Sequence, residues 1–425
     1  MKRSVVVVGG GFAGVACAKR LAKHGVEVKL VDRNNYHQFQ PLLYQVATAQ
    51  LGVPDIARPL RDIFVHYPNV RVTTGHVASI DLEARSVTTS DGVTLSGDVL
   101  VLAAGARPNF FATPGAEELA FPLYSVNDAE RLRSRLLGII DSVDRDAKYL
   151  EQGALNFVVV GAGATGVETS GAVAEMIHEV IPHFYPEFPV DRARVIVVDH
   201  GSHVLNGFTE KSQRFATDAL ERDGVEFRFG TGVAEVQPSK VVLSDGSEIP
   251  THLVIWAGGE QASTVIGASG LPQGRGGRID VEPDLSAPGH PDVYVLGDAA
   301  NITDQHGNPL PQLGSVAQQA GTWAGANIMA NLAGRATTPF EYHDKGIMAM
   351  VGRNAAVAEL GAKRHEIDGP MAFAAWLGVH ASLLSGTRDK IGALLAWSND
   401  YVSKKRPAAL VDHPDAYRID WEADD

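Results

Sequence analysis

The chain has 425 residues, 45% hydrophobic and 20% charged, which is enough to bury the cores of two or three domains. A formal net charge of −13 argues against non-specific nucleic-acid binding. The single cysteine, Cys17, excludes an intrachain disulfide and any cysteine-rich metal site, and it fits a reducing compartment.

The N-terminal stretch SVVVVGGGFAG places four β-branched residues before Gly9, Gly11 and Gly14. Because glycines follow Val5–Val8 at once, the run reads as a buried strand and not as a secretory leader. A continuous apolar strand is what a parallel sheet covered on both faces requires. Gly9 permits the tight turn into a helix, Gly11 lets backbone approach a pyrophosphate, and Gly14 lets helix and strand pack closely. The pyrophosphate then rests on free N–H groups at the helix start. The next strand, VEVKLVDR, ends in Asp32, whose carboxylate can accept the hydroxyls of an adenosine ribose. Cys17 falls in the helix after this loop and reads as a small buried apolar residue.

The pattern recurs at LNFVVVGAGATGVETSG, with Gly161, Gly163 and Gly166, and its following strand ARVIVVDH ends in Asp199. Asp199 lies 33 residues beyond Gly166, against about 20 in the simple motif. The intervening IHEVIPHFYPEFPVDRA predicts an extended helix followed by a loop. Asp199 favours NADH, since it would repel the 2′-phosphate of NADPH. Two cradles imply two nucleotides, a resident flavin and a visiting nicotinamide.

Each cradle has a later partner strand followed by small residues: GDVLVLAAGARPN at 97–109 and THLVIWAGGEQAS at 251–263. Small residues there let backbone pass close to a cofactor. A further strand, PDVYVLGDAAN at 291–301, ends in Gly297 and Asp298. Asp298 reads as a ligand for a flavin's ribityl chain or as a helix cap.

This organisation resembles the two-dinucleotide-binding-domain flavoproteins of the glutathione-reductase superfamily. The resemblance implies an α/β fold with two Rossmann-like domains, the NAD domain inserted in the FAD domain. The expected FAD domain covers 1–110 and 265–335, the NADH domain 115–260, and a C-terminal region 336–425. FAD would be held by Gly9, Gly11, Phe12, Ala13, Gly14, Asp32, Arg33, Ala104, Gly105, Asp298 and Ala317. NADH would be held by Gly161, Gly163, Ala164, Thr165, Gly166, Asp199, Ala257, Gly258 and Gly259. Disulfide reductases of the superfamily need a redox cysteine pair, which one cysteine cannot form. Sulfide:quinone oxidoreductases depend on several.

The stretches NNYHQFQPLLYQVATAQL (34–51), FPLYSVNDAERLRSRL (121–136) and YHDKGIMAMVGRNAAVAELG (342–361) are similar to those of type II NADH dehydrogenases, single-subunit NADH:quinone oxidoreductases. That likeness implies FAD, NADH as donor and a membrane quinone, menaquinone or ubiquinone, as acceptor, without proton pumping. It also implies peripheral attachment to the cytoplasmic face of an inner membrane and a homodimer. The family's quinone-site helix carries two glutamines four residues apart. Here the second matches Gln319, and the first position is Ser315, one turn back on the same face. Gln318 and Gln319 also suit a polar helix start. Glu168 sits in the first turn after Gly166, where the helix dipole favours a carboxylate. The resemblance gives it a second role, holding the nicotinamide carboxamide or relaying protons to the quinone.

After about residue 336 the pattern predicts short strands on the flavin domain, then apolar helices at 371–384 and 389–402. No apolar run reaches the roughly 18–20 residues that cross a bilayer. The second helix groups Ile391, Leu394, Leu395 and Trp397 near one face before the basic SKKRP. Such a helix suits a membrane interface, a dimer interface or ordinary core. The alternative function is a soluble NAD(P)H:acceptor flavin reductase.

Overall fold

In this computed structural model, which describes residues 3–413, Val5–Val7 are fully buried within a central strand. Residues 1–2 and 414–425, the outer ends of the expected 1–110 and 336–425 regions, lie outside it. The elements that matter run in order from β1 (Ser4–Val8), α1 (Phe12–Ala22) and β2 (Glu27–Asp32) to α2 (Leu43–Ala47), β3 (Val70–Thr74) and β4 (Val99–Leu102). Then come β5 (Phe121–Pro122), α3 (Val126–Arg145), β6 (Asn156–Val160), α4 (Ala164–Glu175), β7 (Arg194–Asp199), β8 (Val225–Phe229) and β9 (Leu253–Trp256). The chain continues with β10 (Ser286–Ala287), β11 (His290–Val295) and α5 (Gly314–Leu332). Last are β12 (Gly346–Gly352), β13 (Ala355–Leu360), β14 (His365–Asp368), α6 (Gly369–Leu383) and α7 (Thr387–Ser403).

Contacts divide the described chain into two units. The first comprises the residues up to Gln38, Arg58–Arg107 and Glu260–Asp344. Its sheet has the order β10-β11-β4-β1-β2-β3, parallel except for the edge pair β10/β11. The core gathers Val5, Val7, Leu30, Leu100 and Tyr294, all essentially inaccessible. Each such side chain contributes about 1.5–3 kcal/mol of hydrophobic burial. Cys17 belongs to this core, and burial pushes its thiol up to about 12, so it is inert. Helices α1 and α5 cross closely, since a methyl on Gly321 would overlap the Ala13 carbonyl.

The second unit comprises Phe39–Ala57, Pro108–Gly259 and the described chain from Lys345. Its sheet, β5-β9-β6-β7-β8, is wholly parallel. The chain from β12 onward therefore does not stand apart as a third region. Strands β12–β14 do form, but they belong to this unit, where β12 packs on α4, and not to the unit of the first glycine loop as expected. Gly171 is the physical reason, because any methyl there would overlap the Val351 carbonyl of β12. Segment 39–57, which carries α2, also joins this unit. The long gap before Asp199 is filled as the prolines suggest. Helix α4 widens into a π-helical turn at Met176–Val180, continues as a short helix at Ile181–Phe184, and gives way to loop.

Candidate functional site

The two glycine loops are near-copies. Gly9 takes φ +102°, a conformation that side chains rarely adopt, and a methyl there would overlap the Ala103 carbonyl after β4. Gly161 takes φ +103° with the Ala257 carbonyl in the same place after β9. Both partner strands thus return beside their own loop, and Ala104, Gly105, Gly258 and Gly259 carry the chain away. Gly14 and Gly166 admit the carbonyls of Gly9 and Gly161, while nothing lies within 4 Å of a Cβ built on Gly11 or Gly163. Helices α1 and α4 start from those open glycines with no side-chain cap, so their first turns face the open side of each loop, as an anion site requires.

The strand-end carboxylates are fixed alike. Asp32 accepts the N–H of Gly10 at 2.6 Å and of Asn34 at 2.7 Å. Asp199 accepts that of Ala162 at 2.7 Å and of Gly201 at 2.6 Å. Each carboxylate keeps lone pairs for ribose hydroxyls. Burial raises the Asp32 carboxyl, while the amides and the exposed Arg33 hold it back. Burial likewise pushes Asp298 up to about 6, against the pull of the Arg278 guanidinium. Ala317 lies beside Gly297, the turn residue preceding Asp298. The open cradles and anchored acids fit two dinucleotides.

Ser315 and Gln319 share a face of α5 as expected, yet their polar groups are engaged. The Ser315 hydroxyl lies 3.1 Å from that of Tyr342. Gln319 forms a reciprocal pair with the His343 backbone, at 3.1 and 3.0 Å.

The second unit contains a cavity of about 490 Å³ walled by α2, α4, β12, α6 and α7. Its lining is largely apolar in area, with Phe373, Leu377 and Leu394, and also carries Tyr44, Gln45, Glu168, Glu175, Arg353 and Asp400. Such a volume with a mostly apolar lining is typical of small-molecule sites. Glu168 is partly buried and lines the cavity. It nevertheless lies deep enough for desolvation to push its carboxyl up to about 8. The Met350 N–H, 3.1 Å away, pulls the other way. The Trp376 indole does so too, from outside ordinary hydrogen-bond geometry. An apolar occupant would dry the site and keep Glu168 protonated at neutral pH.

Glu175 lies two turns along the same face of α4, with Ala172 between them on the cavity wall. Beside it, the fully buried Arg406 guanidinium reaches Asp400 at 2.8 Å, Glu175 at 3.0 Å and the Thr48 carbonyl at 2.9 Å. Burial raises Glu175 and Arg406 draws it back. Lys404 is likewise paired, with Glu179. The basic SKKRP stretch is therefore largely consumed inside the unit. Trp397 also turns inward, donating its indole N–H to the Gln45 side-chain oxygen at 2.7 Å. Ile391, Leu394, Leu395 and Val402 of α7 remain exposed, with Leu395 at 66% and Val402 at 84%.

Sequence reasoning missed the cavity. Glu175, seven residues beyond Glu168, was the available signal, since that spacing returns to one helix face. The 40–48 segment, expected beside the quinone from the family likeness, does supply Tyr44 and Gln45 to the lining, whereas their neighbours on α6 and α7, more than 300 residues away, carried no such signal.

The family model described as pyridine nucleotide-disulphide oxidoreductase matches residues 3–321. The type II NADH:quinone oxidoreductase Ndh of Mycobacterium tuberculosis is 35% identical over 431 residues, 98% of this chain and 92% of its own length. NdhA of the same organism is 35% identical over 422 residues, 95% of this chain and 88% of its own. The structure of NDH2 from Plasmodium falciparum in complex with NADH superposes with a TM-score of 0.87, covering 96% of this chain and 100% of that one. At 18% identity it shows the shared fold. The class that fold and cradles define is thus a two-dinucleotide flavoprotein. The chain belongs to the pyridine nucleotide-disulphide oxidoreductase family and, within it, to the type II NADH:quinone oxidoreductases.

Proposed function

We propose that this chain oxidises NADH and reduces a quinone seated in the cavity beside Glu168. It is an NADH:quinone oxidoreductase working through a flavin. When bound, FAD would supply the two-electron redox chemistry that links NADH to the quinone. The first loop, with Asp32 and Asp298, holds the FAD. The second, with Asp199, holds the NADH and rejects a 2′-phosphate. The protein's share is orientation, exclusion of water and proton supply.

The overall reaction consumes NADH, one proton and a quinone, and yields NAD⁺ and quinol. One proton per turnover therefore comes from solvent. Glu168, protonated at neutral pH, is placed to deliver it to a quinone oxygen. The observation that carries this reading is the cavity itself, largely apolar, with the raised Glu168 carboxyl on its lining. Ser315 and Gln319 play no first role here, because their polar groups are already bonded.

No helix among the described residues is long and apolar enough to cross a membrane. The exposed apolar residues of α6 and α7 suit contact with a lipid surface, from which a quinone tail would enter. A second copy of the chain is the competing cover.

Ala172→Leu tests the cavity assignment. Filling the wall beside Glu168 should raise the KM for a short-tail quinone about tenfold while NADH-dependent ferricyanide reduction continues. An unchanged quinone KM refutes it.

A further inference from the structure

We infer that Tyr44 grips a quinone carbonyl oxygen with its phenolic O–H, and that Gln45 and Trp397 fix the direction of that bond. This rests on the assignment of the cavity to the quinone.

An indole N–H can only donate. Trp397 Nε1 lies 2.7 Å from the Gln45 side chain, so the atom facing it is the amide oxygen. The orientation of this amide follows from chemistry and not from a choice between two similar shapes. The Gln45 Nε2 is then committed to the other side, where it donates to the Tyr44 hydroxyl at 3.1 Å. A hydroxyl that accepts at its oxygen has its one proton for a further acceptor. Among the described residues none takes it. Tyr44 and Gln45 are each only 3% exposed, so bulk water does not satisfy it.

Both residues line the cavity with Glu168 and Trp397. Burial and the Glu168 charge both raise the Tyr44 phenol, which stays protonated throughout the working range. The rings are held in place by one another. Tyr44 meets Trp376 edge-on at 6.4 Å, Trp376 meets Trp397 at 6.1 Å, and Trp376 stacks on His380 at 3.8 Å. Tyr44 and Glu168, close enough to feel one another's charge, thus offer the cavity two donors, the phenolic O–H and the protonated carboxyl. A quinone ring is the complementary partner, since its carbonyl oxygens only accept. Tyr44 is the group in contact with substrate, and Gln45 and Trp397 are positioning residues.

Tyr44→Phe removes one oxygen from a buried ring. With a short-tail benzoquinone, and rates normalised to ferricyanide reduction by the same preparation, KM should rise about threefold to tenfold, the worth of one neutral hydrogen bond. Trp397→Phe keeps the aromatic packing and frees the amide to turn, so it should give a smaller rise in KM. The double variant should be no worse than Tyr44→Phe alone, because both changes act through one bond. A merely structural role would make the two effects multiply, and that result overturns the inference, as does a Tyr44→Phe enzyme with wild-type KM. If Ala172→Leu leaves the quinone KM untouched, the cavity assignment itself falls. If Ala172→Leu raises it and Tyr44→Phe does not, only this inference falls.

Discussion

Glu168→Gln keeps the shape of the side chain and removes its titrating proton. The carboxyl lines a largely apolar cavity, pushed up by desolvation to about 8 from an ordinary 4.5. Such a group is about nine-tenths protonated at pH 7 and about one-tenth at pH 9. If it hands a proton to the quinone, turnover at saturating substrates is flat at neutral pH and falls about tenfold per unit above pH ~8. The Gln variant should be slower by about two orders of magnitude, the usual worth of a positioned acid, and should lack that inflection. The assay is NADH oxidation between pH 6 and ~10 with a short-tail quinone, beside ferricyanide, which takes electrons without protons. A Gln variant with the wild-type rate and the same inflection would refute the reasoning. Stability carries the same signature. Because the folded pKa lies above the unfolded one, the unfolded chain binds fewer protons between pH 4.5 and about 8. Wild type therefore loses stability as pH rises through that window, and the Gln variant does not. Thermal melts across the window check the sign.

Asp199→Ser removes the carboxylate that excludes a 2′-phosphate, so the ratio of NADH to NADPH kcat/KM should shrink, and an unchanged ratio counts against its place at the ribose. Replacing Leu395 and Val402 together by serine should weaken flotation with anionic lipid vesicles while leaving the sedimentation of the free protein alone. A change in sedimentation instead would identify the exposed face as a contact between copies.

Much of the fold was legible because its signals are local. Four valines, three glycines and a strand-end acid lie within one short unit, where Gly9 and Gly14 each answer to a nearby carbonyl and Gly11 keeps the loop open. The parallel sheets, and the later strands returning beside their own glycine loops, followed from buried strands that alternate with helices. The C-terminal quarter was less readable. The helices at 371–384 and 389–402 were visible as apolar stretches, but Trp397 and the basic tail suggested a surface. In the fold, Trp397 finds Gln45 and Arg406 finds Glu175, Asp400 and Thr48. Those partners are distant in sequence, and no periodicity encodes them. Removing the buried Arg406 guanidinium would leave the Glu175 and Asp400 carboxylates facing each other without compensation. Gly171 carries no sequence signal for its role, since the strand that meets it, β12, lies about 180 residues further along the chain. At Ser315 and Gln319 the helix face was readable, whereas the bonds that occupy it were not.

The most direct test is anaerobic rapid mixing of the purified protein with NADH, followed by a quinone. The account requires a yellow protein whose flavin absorbance bleaches with NADH and returns on adding an equimolar quinone. A colourless protein, or bleaching that a quinone does not reverse, would contradict it.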